Sequence, residues 1–344
     1  MHDDIIKEII DSIEEDSSEA NYPKFSGEGY SAHKIDSKNF HQINKTNSAK
    51  KIAFVDGGNA EILASANFSL SLMRACYVIY ENNRKLGSKK FEMLAFTKAI
   101  GKSDEIHYKT IFFGDDNSIK LDEINFSSFD RTIMLGINRA EIGSVANAIR
   151  RFAELNMAKI IADNKLAEII VLDGNLQSTI TGENKHLAEL YESCKKNNVI
   201  LSGLSKTTSL FTDNGNLLSV VLSNMSPLHP WYYYPIVEIG NPSHRAEMFF
   251  VKFHEKSRHV FRFEIFNQQK PKAEETINIL ATNCVDPIFL GYPYGLIEAD
   301  RIARVSNNEK ESLKMMFLIK LRNRNVEKYL SSVNAHEILD RISF

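Results

Sequence analysis

The run AEIIVLDG, residues 167–174, is apolar at every position from Ile169 to Leu172. It lacks the alternation of a strand with one wet face. A strand of this kind is buried on both faces, and such strands belong to sheets with helices packed on each side. Its neighbours in sequence fit that requirement. Ile142, Val145, Ala146, Ile149, Phe152, Ala153 and Ile160 form one helical stripe, which predicts an amphipathic helix over 140–165. Residues 184–196 read as another helix, and NVILSGLSK, residues 198–206, as another strand. Strand, helix and strand in that order imply a parallel pair with a right-handed crossover.

Upstream, KIAFVDG (51–57) reads as a short buried strand, and 61–81, 91–100 and 105–113 supply further strand material with short turns. The expected order is β-β-β-α-β-α-β, an α/β mixed sheet in which an antiparallel meander leads into parallel strands. Further strands are expected at 216–223, 246–254 and 259–266, the last two as a hairpin, followed by helices from about 295 and over 326–341. At the other end, Ile5, Ile6, Ile9, Ile10 and Ile13 recur at helical spacing. A helix that short is marginal alone, so residues 1–15 are expected to dock on the body or on a partner. Residues 16–50, rich in Ser, Asn, Lys and His, read as an irregular linker, leaving 51–344 as the main domain.

A chain of 344 residues, 43% apolar, is ample for such a core. Its net charge of −2 advertises no global basic field, although local patches can still bind nucleic acid. Cys76, Cys194 and Cys284 stand far apart with no CxxC pair, which suits a reducing cytoplasm. The acidic N-terminus lacks the apolar core of a signal peptide, and no run approaches the ~18 apolar residues of a membrane span. A soluble, cytoplasmic protein without membrane contact is expected.

The chemistry is suggested by the ends of two strands. VDGG (55–58) and LDGN (172–175) each place Asp-Gly after an apolar run. Asp-Gly is also a common turn dipeptide, and either occurrence alone reads as a turn. In the expected topology, however, the two strands lie side by side and Asp56 neighbours Asp173. Adjacent carboxylates repel unless a cation lies between them, and an oxygen-rich site of this kind suits Mg²⁺ or Mn²⁺. Two such ions about 4 Å apart can clamp the attacking and leaving oxygens of a phosphodiester, the logic of RNase H-like nucleases. Counting back about 13 residues at 1.5 Å each from the end of the preceding helix reaches the level of Asp173 near Glu154. Glu154 is thus the expected third ligand, with Glu141 in reserve. Glu154 also has the spacing for helix-face pairs with Arg150 and Arg151.

The run GYPYGLIEADRIARVS, residues 291–306, turns at a Tyr-Pro step into a helix. Together with VDGG (55–58), VLDGNL (171–176), SKTTSL (205–210) and VKFHEKSRHVFRFE (251–264), it resembles the NurA family, nucleases that accompany the HerA translocase in archaea and some bacteria. The resemblance implies that Asp56 and Asp173 are metal ligands and that the helical glutamate falls on Glu154. It places Asp300 where the family usually has histidine, a departure that keeps a hard oxygen ligand but removes an imidazole. Lys206 matches a basic position expected to face phosphate. Lys252, Arg258 and Arg262, interleaved with Phe253 and Phe263, could line a groove for single-stranded DNA or simply mark a half-buried hairpin. Tyr292 and Arg304 of the Tyr-Pro motif join the expected DNA contacts. The resemblance further implies two Mn²⁺ or Mg²⁺ ions and a homodimer stacked on a HerA-like hexameric ATPase. The implied activity is 5′–3′ exonuclease and single-strand endonuclease cleavage in DNA end resection and double-strand break repair. No Walker A loop is present, so any motor is a separate chain. A catalytically weakened scaffold that binds DNA or the motor, and a phosphohydrolase acting on small phosphates, are the alternatives.

Overall fold

In the computed structural model, which describes residues 2–15, 21–114, 119, 121–322 and 324, the apolar run at 167–174 forms a strand near the middle of an eleven-stranded mixed sheet. The chain begins with α1 (His2–Glu15), β1 (Pro23–Lys24), β2 (Tyr30–Ala32) and β3 (Phe40–Gln42). A meander follows: β4 (Ile52–Ser65), β5 (Phe68–Glu81), β6 (Arg84–Lys102), β7 (Glu105–Phe113) and β8 (Ile124–Ser127). The chain continues through α2 (Val145–Asp163), β9 (Ile169–Asp173), α3 (Glu183–Asn197), β10 (Ile200–Ser205), β11 (Phe211–Thr212) and α4 (Leu218–Met225). It then forms β12 (Trp231–Tyr233), β13 (Val237–Ile239), β14 (Ala246–Lys252), β15 (Phe261–Phe266), α5 (Ala273–Leu280), α6 (Tyr294–Ala303) and α7 (Asn307–Leu321). Strand order in the large sheet is β3-β12-β14-β15-β10-β9-β4-β5-β6-β7-β8. β9 runs parallel to both its neighbours, β4 and β10, while the meander and the β10–β15 and β14–β15 pairs are antiparallel. The expected β-β-β-α-β-α-β path is therefore β4-β5-β6-α2-β9-α3-β10, extended by β7 and β8.

The continuous apolarity of β9 follows from its place. Ile170 and Leu172 enter the core beneath α2 and α3, whereas Ile169 and Val171 enter a second core beneath α5 and α6. All four are at most 1% exposed. Each such side chain contributes roughly 1.5–3 kcal/mol by leaving water. β4 divides its residues the same way: Ala53 and Val55 face α2, and Ile52 and Phe54 face α6. Among the described residues, no helix is long and apolar enough to cross a membrane.

Four expectations differ from the structure. Residues 216–223, expected as a strand, lie largely in α4. Leu218 and Leu222, one helical turn apart, are both fully buried in a core with Trp231 and Phe250. A short apolar run has no period long enough to separate the two states. VDGG is not a turn, because β4 runs on to Ser65 with Gly57 and Gly58 paired to Ala75 and Arg74 of β5. Within the expected linker, β1, β2 and β3 pair with β11, β13 and β12. Those partners lie far off in sequence, where local composition cannot register them. The 246–266 hairpin exists, but it is interior to the sheet, flanked by β12 and β10, and Phe253 and Phe263 are fully buried. The helix expected over 326–341 lies outside the described residues. α1 presents Ile5, Ile6 and Ile9 to solvent.

Candidate metal centre

The parallel register of β4 and β9 pairs Val55 with Leu172. The next step along both strands places Asp56 beside Asp173, and alternation directs both to the α6 face, like Phe54 and Val171 before them. α6 closes over this point because β4 carries glycine there. A Cβ on Gly58 would stand 2.2 Å from the carbonyl oxygen of Ala303 at the end of α6. That close approach brings in Asp300, one turn earlier on the helix. One carboxylate oxygen from each of Asp56, Asp173 and Asp300 lies within 4.8 Å of the other two.

Cations border this cluster. Lys206, just past the end of β10, places its Nζ 2.6 Å from Asp173 Oδ2 and 3.1 Å from Asp300 Oδ1. It also stands 5.8 Å from the centre of the Tyr292 ring. The Arg304 guanidinium reaches Asp300 Oδ2 at 2.9 Å and is otherwise solvent-facing. Tyr292 is fully buried and donates its hydroxyl to Asp173 Oδ1 at 3.4 Å, so it supports the carboxylate and offers no surface for a base, contrary to the expected DNA contact. Burial and the nearby Asp173 carboxylate raise the Tyr292 hydroxyl well above its ordinary pKa.

Asp56 is 6% exposed. Burial, then the charge of Asp173 and then that of Glu154, push its carboxyl up to about 8, against the opposing Gly57 N–H, which donates to Oδ1 at 2.7 Å. Asp300 moves the other way. Burial favours its neutral form, but Lys206 and Arg304 outweigh it and hold the carboxyl below the usual range. A buried carboxylate destabilised by two like charges is the electrostatic condition that a divalent cation relieves. Three convergent oxygens are a donor set for a hard cation such as Mg²⁺ or Mn²⁺.

Glu154 lies against the same strand, on the α2 side. A Cβ on Gly57 would stand 2.7 Å from its Oε1, so this glycine also permits a close approach. Glu154 is nevertheless already paired, its Oε1 2.5 Å from Arg150 Nη1 and its Oε2 3.5 Å from Arg151 Nη1. The sequence offered ligand and helix-face pair as alternatives. The structure has the pair, placed beside Asp56 but outside the convergent three. Glu141 is exposed; Gly143, two residues on, meets Glu61, five residues beyond Asp56 along β4.

A cavity of about 350 Å³ opens over the carboxylates, bordered by Asn59, Arg150, Lys206 and Arg304. Sequence reading missed Arg150 and Asn59 as site residues, although the spacing of Arg150 to Glu154 was visible. Lys252, Arg258 and Arg262 do not border this cavity. Lys252 pairs with Trp231 in the sheet, Arg258 is exposed between β14 and β15, and Arg262 is ion-paired with Glu264.

The fold and this cluster define an RNase H-like mixed α/β protein with a triad of convergent aspartates. The family model for the NurA domain matches residues 50–305, and the chain belongs to the NurA family. Similar solved structures include the NurA nuclease from Sulfolobus solfataricus, 15% identical, covering 83% of this chain and 88% of that one at a TM-score of 0.49. Human endonuclease V is 10% identical over 81% and 94% at 0.39. Endonuclease V of Ciona intestinalis, in complex with a 24mer DNA containing an inosine followed by a ribo-adenosine, is 14% identical over 80% and 92% at 0.37. No match is found among curated proteins.

Proposed function

We propose that this chain is a metal-dependent deoxyribonuclease that hydrolyses phosphodiester bonds at the Asp56–Asp173–Asp300 cluster. The observation that carries this reading is the convergence of those three carboxylates within 4.8 Å, one of them pushed up to about 8. Asp56, Asp173 and Asp300 would hold one or two Mn²⁺ or Mg²⁺ ions, with Glu154 a further ligand on release from Arg150. A bound divalent cation supplies positive charge to the phosphodiester oxygens. The chain's own groups do the rest. The Tyr292 hydroxyl orients Asp173. Lys206 and Arg304, which neutralise Asp300, are placed to receive the phosphate of an incoming strand. Gly57 and Gly58 let Glu154 and the end of α6 close against β4 beside the carboxylates.

Family membership supports a wider role, in which the chain acts with a HerA-like hexameric ATPase as a homodimer in DNA end resection. Its cleavage would be of the 5′–3′ exonuclease and single-strand endonuclease type. The exposed Ile5, Ile6 and Ile9 of α1 are a surface for such assembly. Removal of residues 1–15 should then lower either the self-association or the motor binding of the full chain.

A scaffold that binds DNA without cutting is favoured by one observation: both oxygens of Asp300 already have cationic partners. Incubating single- and double-stranded DNA with Mn²⁺, beside an Asp56→Ala variant, decides between the two. Metal-dependent cleavage that the variant loses supports the enzyme. Equal activity in both proteins, or none in either, removes it.

A further inference from the structure

A second cavity, of about 630 Å³, is lined in part by sequence neighbours of the residues that line the acidic one. Along the segment leaving β10, Lys206 borders the acidic cavity, while Ser205 and Thr207 border the second. Consecutive residues of this one segment therefore line both cavities. The turn after β9 is divided likewise: Asp173 belongs to the first cavity, and Asn175 and Gln177 to the second.

The other walls differ in chemistry from the acidic site. Lys24 and Phe211 are direct partners in the β1–β11 ladder and place a cation beside an aromatic ring. Phe211 is 47% exposed, an open ring face at the rim. Phe25 and Tyr30 stack with centroids 5.0 Å apart and planes 7° from parallel. Arg262, the register partner of Ser205, contributes a guanidinium anchored by Glu264. That anchor is itself held, since Glu264 accepts from the Leu176 N–H at 2.8 Å and pairs with His244 at 3.0 Å. Among the described residues no carboxylate borders this cavity, whereas three border its neighbour. Cations, ring faces and uncharged hydroxyl and amide groups together suit a nucleotide, which offers a π-face, a hydrogen-bonding edge and a phosphate. The volume falls in the range of small-ligand sites.

We propose that this cavity receives one unpaired nucleotide of the bound strand, next to the phosphodiester held at the acidic cluster. The inference rests on the nuclease reading and adds a requirement to it: the strand must be unpaired beside the scissile bond.

The test is binding of a labelled oligo-dT to the full chain, by fluorescence anisotropy in EDTA so that nothing is cut. Phe211→Ala should weaken binding about five- to tenfold, the effect of losing one stacked base, and Phe211→Trp should restore it. A strand of abasic residues should bind the wild type more weakly, with no further loss in Phe211→Ala. Unchanged oligo-dT affinity in Phe211→Ala, at an unchanged melting temperature, overturns the proposal. An equal loss on the abasic strand also overturns it, because the base is then not what Phe211 contacts. Cleavage of the same oligonucleotide in Mn²⁺ is scored separately. Absence of cleavage by the wild type removes the nuclease reading, while the anisotropy still decides whether the cavity takes a nucleotide. Failure of the wild type to bind the strand in EDTA overturns the nucleotide cavity, while cleavage in Mn²⁺ still decides the nuclease reading.

Discussion

The Lys206 ammonium lies 2.6 Å from Asp173 and 3.1 Å from Asp300, so a single side chain ties the end of β10 to the last residue of β9 and to α6. Burial opposes its charge, but Asp173 and Asp300 more than compensate and raise its pKa. Lys206 therefore competes with a metal ion for the same oxygens. Lys206→Ala should bind Mn²⁺ more tightly, seen as a larger metal-induced rise in melting temperature. It should cleave DNA about a hundredfold more slowly for want of a phosphate contact. If neither quantity changes, Lys206 is only a solvated strand-end charge.

Asp56→Asn should lower Mn²⁺-supported DNA cleavage by at least about a hundredfold, a loss typical of removing a group that stabilises transition-state charge. It should also change the pH dependence of stability in the metal-free protein. The Asp56 carboxyl is raised from 3.8 to about 8 on folding. Its contribution to stability is thus complete below its unfolded value and is lost as pH climbs through 8. The variant, which has no charge to bury, should melt a few degrees above the wild type at pH 9 and near it at pH 4. Parallel melting curves across that range would show that Asp56 carries no such strain.

At Asp300, Asn should remove most cleavage if the carboxylate is a ligand and leave it intact if the residue is only a helix-surface charge. Asp300→His introduces an imidazole that binds metal when neutral. Its activity should rise with pH through roughly 6.5, the ordinary histidine value, where the parent shows no such step.

Gly58→Ala is expected to destabilise by about 2–3 kcal/mol, the upper end for overpacking, because the obstructing atom is the Ala303 backbone carbonyl and cannot rotate away. Denaturant unfolding measures this directly. A near-neutral result would mean that α6 shifts freely on β4.

Arg74 is a structural counterpart beneath the site. Its buried guanidinium pairs with Glu92 and Glu309 and donates from Nη1 to the Arg304 carbonyl at 2.7 Å, linking β5, β6 and α7 to the end of α6. Arg74→Ala should cost about 3 kcal/mol, the low end for a broken buried pair, because both remaining carboxylates reach solvent. The loss should be read as increased amide exchange in α7, with less change in β9.

The sequence carried the core of the fold because burial writes itself into local pattern. Ile169 to Leu172 announce a strand covered on both faces, and the stripe over 140–165 announces the helix that covers one of them. Asp56 and Asp173 were legible for the same reason, since each follows an apolar run whose direction the topology determines. What local pattern does not encode is which distant segments meet. The 16–50 segment reads as a linker until β1 finds β11 and β3 finds β12, and only then does the wall holding Lys24 and Phe25 exist. VDGG reads as a turn until β4 is seen to run on through it, paired with β5. Arg262 reads as a free basic residue until it is found anchored to Glu264. Side-chain chemistry and periodicity are properties of the chain, and sequence alone determined them here. The convergence of Asp300 with the other two carboxylates, the placing of the locally paired Glu154 beside Asp56, and the second cavity depend on contacts between segments far apart in sequence, and only tertiary packing decided those.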